Sequence, residues 1–208
     1  MLESYNTVKQ DALAEQVIDK SRFIALVSHV NNVIDFEKKL QKTKLEFPNA
    51  RHYVYAYRLY NGRLEKSSDD GEPQGTGGRP ILELLQYRQL WDVQIIVVRY
   101  FGGILLGTGG LTRAYGGTAR LALDQAGITR LVPNITYQLQ IPYPWYEQIK
   151  YGFRQKGWEY GEEQFGEQIS LNVYIPETEA ASFEKWLTDL TKKQVGIQNK
   201  GILLRPEQ

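Results

Sequence analysis

The sequence predicts an α+β protein built from two domains. Three observations carry this expectation. Residues 134–208 run in the order β-α-β-β-α-β, residues 1–133 mix strand patterns and a hairpin signal with three helical ones, and 208 residues suffice for two cores.

The first domain begins with EQVIDKSRFIALVSHV. Phe23, Ala25 and Val27 alternate with Ile24 and Leu26, which fits two strands or one long bent strand. NNVIDFEKKLQKTKLEF reads as an amphipathic helix capped by Asn31 or Asn32, with Val33, Phe36 and Leu40 as its apolar stripe. Its lysines, at 38, 39, 42 and 44, lie largely on the other side and read as a solvated face. ARHYVYAYRLYNGRLEKSS carries a hairpin signal at Asn61-Gly62. DDGEPQGTGGRP is a loop by composition, and PILELLQYRQL is a helix with Pro80 in its first turn. VQIIVVRY is a short apolar run, hence a buried strand. A glycine-rich loop follows. The next helix carries Ala114, Thr118, Ala122 and Ala126, small enough to press on a sheet, and Gly127 suits its C-cap.

After Pro133 the pattern changes. ITYQLQIP is a strand, and WYEQIKYGFRQKG a helix with a terminal glycine. WEYGEEQF and EQISLNVYIP read as paired strands. ETEAASFEKWLTDLTKK is a helix with Thr178 as candidate cap, and VGIQNKGILL is a closing strand. This is the split βαβ order of ferredoxin-like domains. The expected division is therefore 1–133 and 134–208.

Composition excludes several function classes. Cysteine is absent, which removes disulfides, thiol catalysis and cysteine-ligated metals. Only His29 and His52 are available as imidazoles. No apolar run is long enough for a membrane helix, and the polar start lacks a signal-peptide core, so a cytoplasmic protein without membrane contact is expected. Residues 1–133 carry 17 Lys+Arg against 14 Asp+Glu, and residues 134–208 carry 8 against 10. Neither balance is that of a dedicated non-specific nucleic-acid binder.

The glycine segments draw attention next. RYFGGILLGTGGLTRAYGG, at 99–117, holds seven glycines. GGILLGT starts like a phosphate-binding loop, but position 108 is threonine where the phosphate-binding lysine belongs. GTGGLT at 107–112 and GTGGRP at 75–80 both miss the dinucleotide pattern. What survives is a strand, a glycine turn and a helix start, where Thr108, Gly109 and Gly110 offer backbone N–H groups to an anion, with Gly107 beside them as a further candidate contact. The opposing reading is that the glycines serve positive φ or close packing.

Every cation between Lys66 and Lys150 is arginine, the residue suited to forked recognition of phosphate or carboxylate. Arg79, Arg99 and Arg113 are candidate ligand contacts, and internal pairing with Asp69, Asp70 or Glu72 is the alternative. SSDDGEP offers three carboxylates that either bind Mg²⁺ or form a turn through caps; the turn is the expectation, with no metal or cofactor. Ser67, Ser68, Thr76 and Thr108 are hydroxyls without an evident general base. Tyr53, Tyr55 and Tyr57 share one strand face and either stack on bases or pack in the core.

AxHxxxAY at 50–57, SDDGEPQGTGGRPIL at 68–82 and VVRYFGGILLGTGGLTRAYGGTA at 97–119 together resemble the IMPACT/YigZ family. The likeness covers most of residues 15–130. It implies a ribosomal-protein-like first domain with a left-handed βαβ unit. The second domain is similar to the small C-terminal domain of bacterial members, itself related in shape to a domain of elongation factor G. Eukaryotic relatives regulate translation under amino-acid stress. Family members often carry cysteine where this chain has Val54, so no thiol role there can operate.

The expected function is therefore a non-enzymatic, translation-associated binding protein whose partner is RNA or a ribosomal component. Its ligand surface combines Asp69, Asp70, Glu72, Gly75, Thr76, Gly77 and Arg79 with Arg99, Tyr100, Gly102, Gly103, Gly107–Gly110 and Arg113. One alternative is an enzyme or binder of a phosphorylated or carboxylated metabolite at the same loops. Another is a protein–protein adaptor using Phe101, Ile104, Leu105 and Leu106.

Overall fold

The computed structural model describes residues 2–207. They form two compact units, one of residues 5–129 and one of residues 2–4 with 130–207. The division falls between Thr129 and Arg130, and Pro133 lies inside a strand.

The first unit contains β1 (Tyr5–Val8), β2 (Ala12–Ile18), β3 (Ser21–His29), α1 (Val33–Glu46), β4 (His52–Leu59), β5 (Leu64–Ser68), α2 (Gly78–Tyr87), β6 (Val93–Tyr100) and α3 (Gly107–Ala126). Five strands make one sheet in the order β2-β3-β6-β4-β5, antiparallel throughout. Central β6 is covered on both faces, which is why its sequence is continuously apolar instead of alternating. β2 and β3 are separate strands. Their turn is Asp19-Lys20, both at positive φ, a primed hairpin without the glycine that usually announces one. The β4–β5 hairpin has a four-residue loop, since Leu59 pairs with Leu64, and Gly62 and Arg63 take the positive φ values. β1 was not expected. Its Asn6 meets a segment far along the chain in an isolated bridge, the Trp91 N–H donating to the Asn6 carbonyl at 2.8 Å.

Asn32 caps α1, its side chain accepting from the Asp35 N–H at 2.9 Å. The Asp35 carboxylate accepts in turn from the Asn31 N–H. Helix α1 covers one sheet face, where Phe36 and Leu40 meet Tyr57, Leu59 and Ile96. Helices α2 and α3 cover the other, over Phe23, Ala25, Val54, Ala56, Ile95 and Val97. These two helices run parallel. Pro80 neighbours Gly116, and eight residues on along both helices Arg88 pairs with Asp124 at 3.0 Å. About 12 Å of rise separates the two contacts on each helix.

The second unit contains most of β7 (Ile128–Ile141), then α4 (Tyr143–Lys156), β8 (Glu159–Tyr160), β9 (Gln164–Phe165), β10 (Ile169–Pro176), α5 (Ala180–Thr191) and β11 (Gly196–Pro206). Its strands take the order β11-β7-β10-β8, with β9 also on β10. Numbered within the unit this is 4-1-3-2, the ferredoxin-like arrangement. Alternate residues of β7 and β10 build a core with Ile149, Phe153, Phe183 and Leu187 of the helices. Gly157 ends α4 in the left-handed region. Thr178 lies in a 3₁₀ turn ahead of α5 and makes no cap; the N-cap position is Glu179.

Candidate functional site

The 69–77 loop is built around caps. Asp69 turns its carboxylate onto the N–H groups of Gly75, Gly77 and Gly78 at 2.8, 2.9 and 2.8 Å, closing the loop and starting α2. Burial alone would raise this carboxyl. The three amides outweigh it and hold the group below its usual range. Asp70, at positive φ, accepts the Tyr53 N–H at 2.6 Å. Its carbonyl lies 2.7 Å from Nδ1 of His52, which must therefore carry the proton. The Thr76 hydroxyl donates to the Pro73 carbonyl. Gly77 and Gly78 lie where α2 meets the sheet: a Cβ would stand 2.8 Å from Val54 and 2.7 Å from the Ser68 backbone.

Glu72 ties this loop to the next. Its side chain is 4% exposed and accepts from Nη1 of Arg99 at 2.6 Å; Arg99 is 5% exposed. The same oxygen accepts from the Tyr115 hydroxyl at 2.7 Å and lies 3.6 Å from Nε2 of His52. Arg99 also reaches the Ser21 hydroxyl, which in turn accepts the Gly102 N–H. Burial first, then the hydrogen bond to Glu72, raises the Tyr115 phenol far above its usual value, so it stays a donor. Residues 27 and 43 positions apart from Glu72 thus meet on one carboxylate oxygen.

This geometry corrects several sequence-level expectations. Arg99 and Glu72 spend their charges on each other inside the protein, so neither charge is presented to solvent. Asp69 and Asp70 hold backbone amides and do not converge with Glu72; among the described residues no group of three or more such side chains is placed for a metal. Gly102 is a packing position, since a Cβ there would stand 2.0 Å from the Lys20 backbone. Tyr57 is buried against Phe36, Tyr55 packs on the same ring, and the Tyr53 hydroxyl donates to the Phe47 carbonyl. The tyrosine row is a core face over α1, not a stacking platform. Tyr100 is part-exposed and donates to the Pro48 carbonyl at 3.1 Å.

Other predicted residues remain on the surface. Helix α3 starts at Gly107, four residues earlier than its apolar pattern suggests, with no side-chain cap and no acidic residue in its first turn. Thr108 and Gly109 are exposed, and Gly109 is near the Arg113 guanidinium. Gly103 and Gly107 have positive φ with open space around them, and Gly75 also has positive φ. Gly110 packs on Leu106, where a Cβ would be 2.9 Å from its neighbour. Arg79 is exposed and pairs with Glu83 one turn on at 2.8 Å. Arg113 and Arg120 are exposed and line a shallow groove between α2 and α3 with Pro80, Leu84 and Tyr87. His52, Tyr115 and Arg120 were not singled out from the sequence. His52 and Tyr115 do lie inside the AxHxxxAY and TRAYGG patterns, which was their only signal.

Fold and site together define a two-unit α+β protein whose glycine-rich segments lock a buried ion pair and expose a basic helix start. Residues 19–123 match the Impact N-terminal domain, and residues 139–192 match a domain of unknown function, DUF1949. The chain is 38% identical to IMPACT family member YvyE of Bacillus subtilis, over 95% of this chain and 92% of that one. It is 34% identical to IMPACT family member YigZ of Escherichia coli, over 92% and 95% respectively. A crystal structure of a hypothetical protein, 32% identical, superposes with a TM-score of 0.62 over 95% of this chain and 97% of that chain. The chain belongs to the IMPACT family. Among the described residues no helix is long and apolar enough to cross a membrane.

Proposed function

We propose that this chain is a non-enzymatic, cytoplasmic binding protein associated with translation, and that it contacts RNA or a ribosomal component. One observation carries the reading: α3 begins without a side-chain cap or an acidic residue in its first turn, beside exposed Arg113, which has no carboxylate partner among the described residues. The helix dipole and a guanidinium there both favour an anion. Arg120 extends the positive surface along α3, and Arg79 adds an exposed guanidinium on α2 that is paired with Glu83. The metabolite-enzyme alternative is weakened because Asp69, Asp70 and Glu72, its intended acids, bases or Mg²⁺ ligands, are engaged by backbone amides and Arg99.

A second reading has its own support. Leu105 is 86% exposed, and Phe101 and Ile104 are also exposed in the loop before α3. An apolar loop tip beside arginines also suits a protein partner. Crosslinking in cells, with recovery of both RNA and protein, separates the two. RNA recovery that drops in Arg113→Ala and Arg79→Ala supports the first reading. Unchanged recovery in both variants removes these side chains from the contact surface.

A further inference from the structure

The sheet of the first unit is covered unequally. Five strands spaced by about 4.8 Å span about 19 Å, room for two helices of about 10 Å side by side. One face carries two, α2 and α3. Among the described residues of this unit, α1 is the one helix on the other face, packed over β3, β6 and β4. Strand β5 lies beyond it at the sheet edge. A trough of about 710 Å³ remains between α1 and β5. Tyr55 and Tyr57 form its floor, Lys66 its β5 edge, and Ile34, Gln41 and Leu45 its α1 wall. Pairing of Leu64 with Leu59 turns Leu64 toward the same face.

Two features say what fits. Ile34 is 65% exposed and Leu45 is 83% exposed, on a helix whose other apolar residues are packed. The rim is basic. Lys38 and Lys66 have no carboxylate partner among the described residues, Lys42 reaches only Glu46 at 3.7 Å, and Glu37 is the one acid in the lining. We infer that this trough docks an amphipathic helix of a partner protein, apolar on one face and flanked by carboxylates, as the missing second helix of this sheet face. An apolar stripe seats against Ile34, Leu45 and Tyr55, and the flanking carboxylates meet Lys38, Lys42 and Lys66. RNA is disfavoured here because Tyr57 is buried and Tyr55 is packed against Phe36 and Tyr57, which leaves no open pair of rings for bases to stack on.

The test uses the full chain and a fluorescein-labelled, stapled helical peptide of about 14 residues, four turns long. It carries leucines at i, i+3, i+4 and i+7 flanked by glutamates; a twin carries lysines instead. Saturable anisotropy is expected for the acidic peptide only. Leu45→Glu, at an exposed site, and Lys38→Glu/Lys66→Glu should each weaken it about tenfold or more, and the double reversal should begin to bind the lysine twin. Circular dichroism confirms that the variants fold; if the double reversal does not, Leu45→Glu decides alone. The inference is overturned by no saturable binding of the acidic peptide, by affinity unmoved by the substitutions, by displacement by a single-stranded RNA oligomer, or by self-association of the chain that Leu45→Glu abolishes. Placement is read by nuclear magnetic resonance, with shifts expected at Ile34, Leu45 and Lys66; shifts confined to other residues also overturn it.

Discussion

Glu72 shows how much one carboxylate decides in this protein. It neutralises a buried guanidinium, accepts from a buried phenol and faces an imidazole, all within the first unit. Replacing it with glutamine leaves Arg99 charged and buried without its counter-ion. We expect Glu72→Gln to lower unfolding free energy by about 3 kcal/mol, read from urea denaturation, with Glu72→Gln/Arg99→Met recovering part of the loss. Asp69 offers a pH test. Its carboxyl is depressed in the fold, so its stabilisation is complete above the unfolded value of about 3.9 and is lost as pH falls through the lower folded value. Asp69→Asn should cost about 1 kcal/mol at pH 7, and the difference from wild type should shrink as pH drops through the acid range. From sequence, Asp69 and Glu72 were loop carboxylates and Arg99 stood near the end of a buried strand, 27 positions from Glu72. Whether they faced a ligand or each other depended on burial, which their spacing along the chain does not encode.

The glycines divide the same way at the level of elements. Gly102 lies against the β2–β3 turn with no room for a methyl, whereas Gly103 has open space and a φ of +86°. Gly102→Ala should therefore destabilise the first unit severely, and Gly103→Ala by only about 1 kcal/mol through its backbone conformation; thermal melts of both variants decide this. Gly109 is helical, with only the Arg113 side chain nearby. Gly109→Ala should fold normally and gain up to about 0.5 kcal/mol of helix propensity. Loss of RNA retention by that folded variant points to close ligand approach, and unchanged retention makes Gly109 dispensable. Most element types were evident in the residue periodicity, including the buried run of β6 and the small-residue face of α3. The start of α3 was not, because GTGG reads as loop until packing of Leu111, Ala114 and Tyr115 pulls the preceding turn into the helix.

Across the whole molecule, charge sets the scale of any interaction with nucleic acid. The formal net charge is only +1, so long-range steering is weak and binding must rest on local contacts. With Arg79, Arg113 and Arg120 as the exposed contacts, log affinity for single-stranded RNA should fall against log salt with a slope of about −2. A slope near zero in filter-binding or anisotropy titrations removes phosphate recognition from this surface. By itself the sequence determined the α+β class, the ferredoxin-like order of the second unit and the family, because periodicity, turn chemistry and long motifs are local properties. Only the tertiary structure decided that Arg99 is spent on Glu72, that the tyrosine row is core and that Arg113 is left outside. Those outcomes turn on which groups meet after residues 27 and 43 positions from Glu72 are brought within 3 Å of its side chain, and on which groups water still reaches.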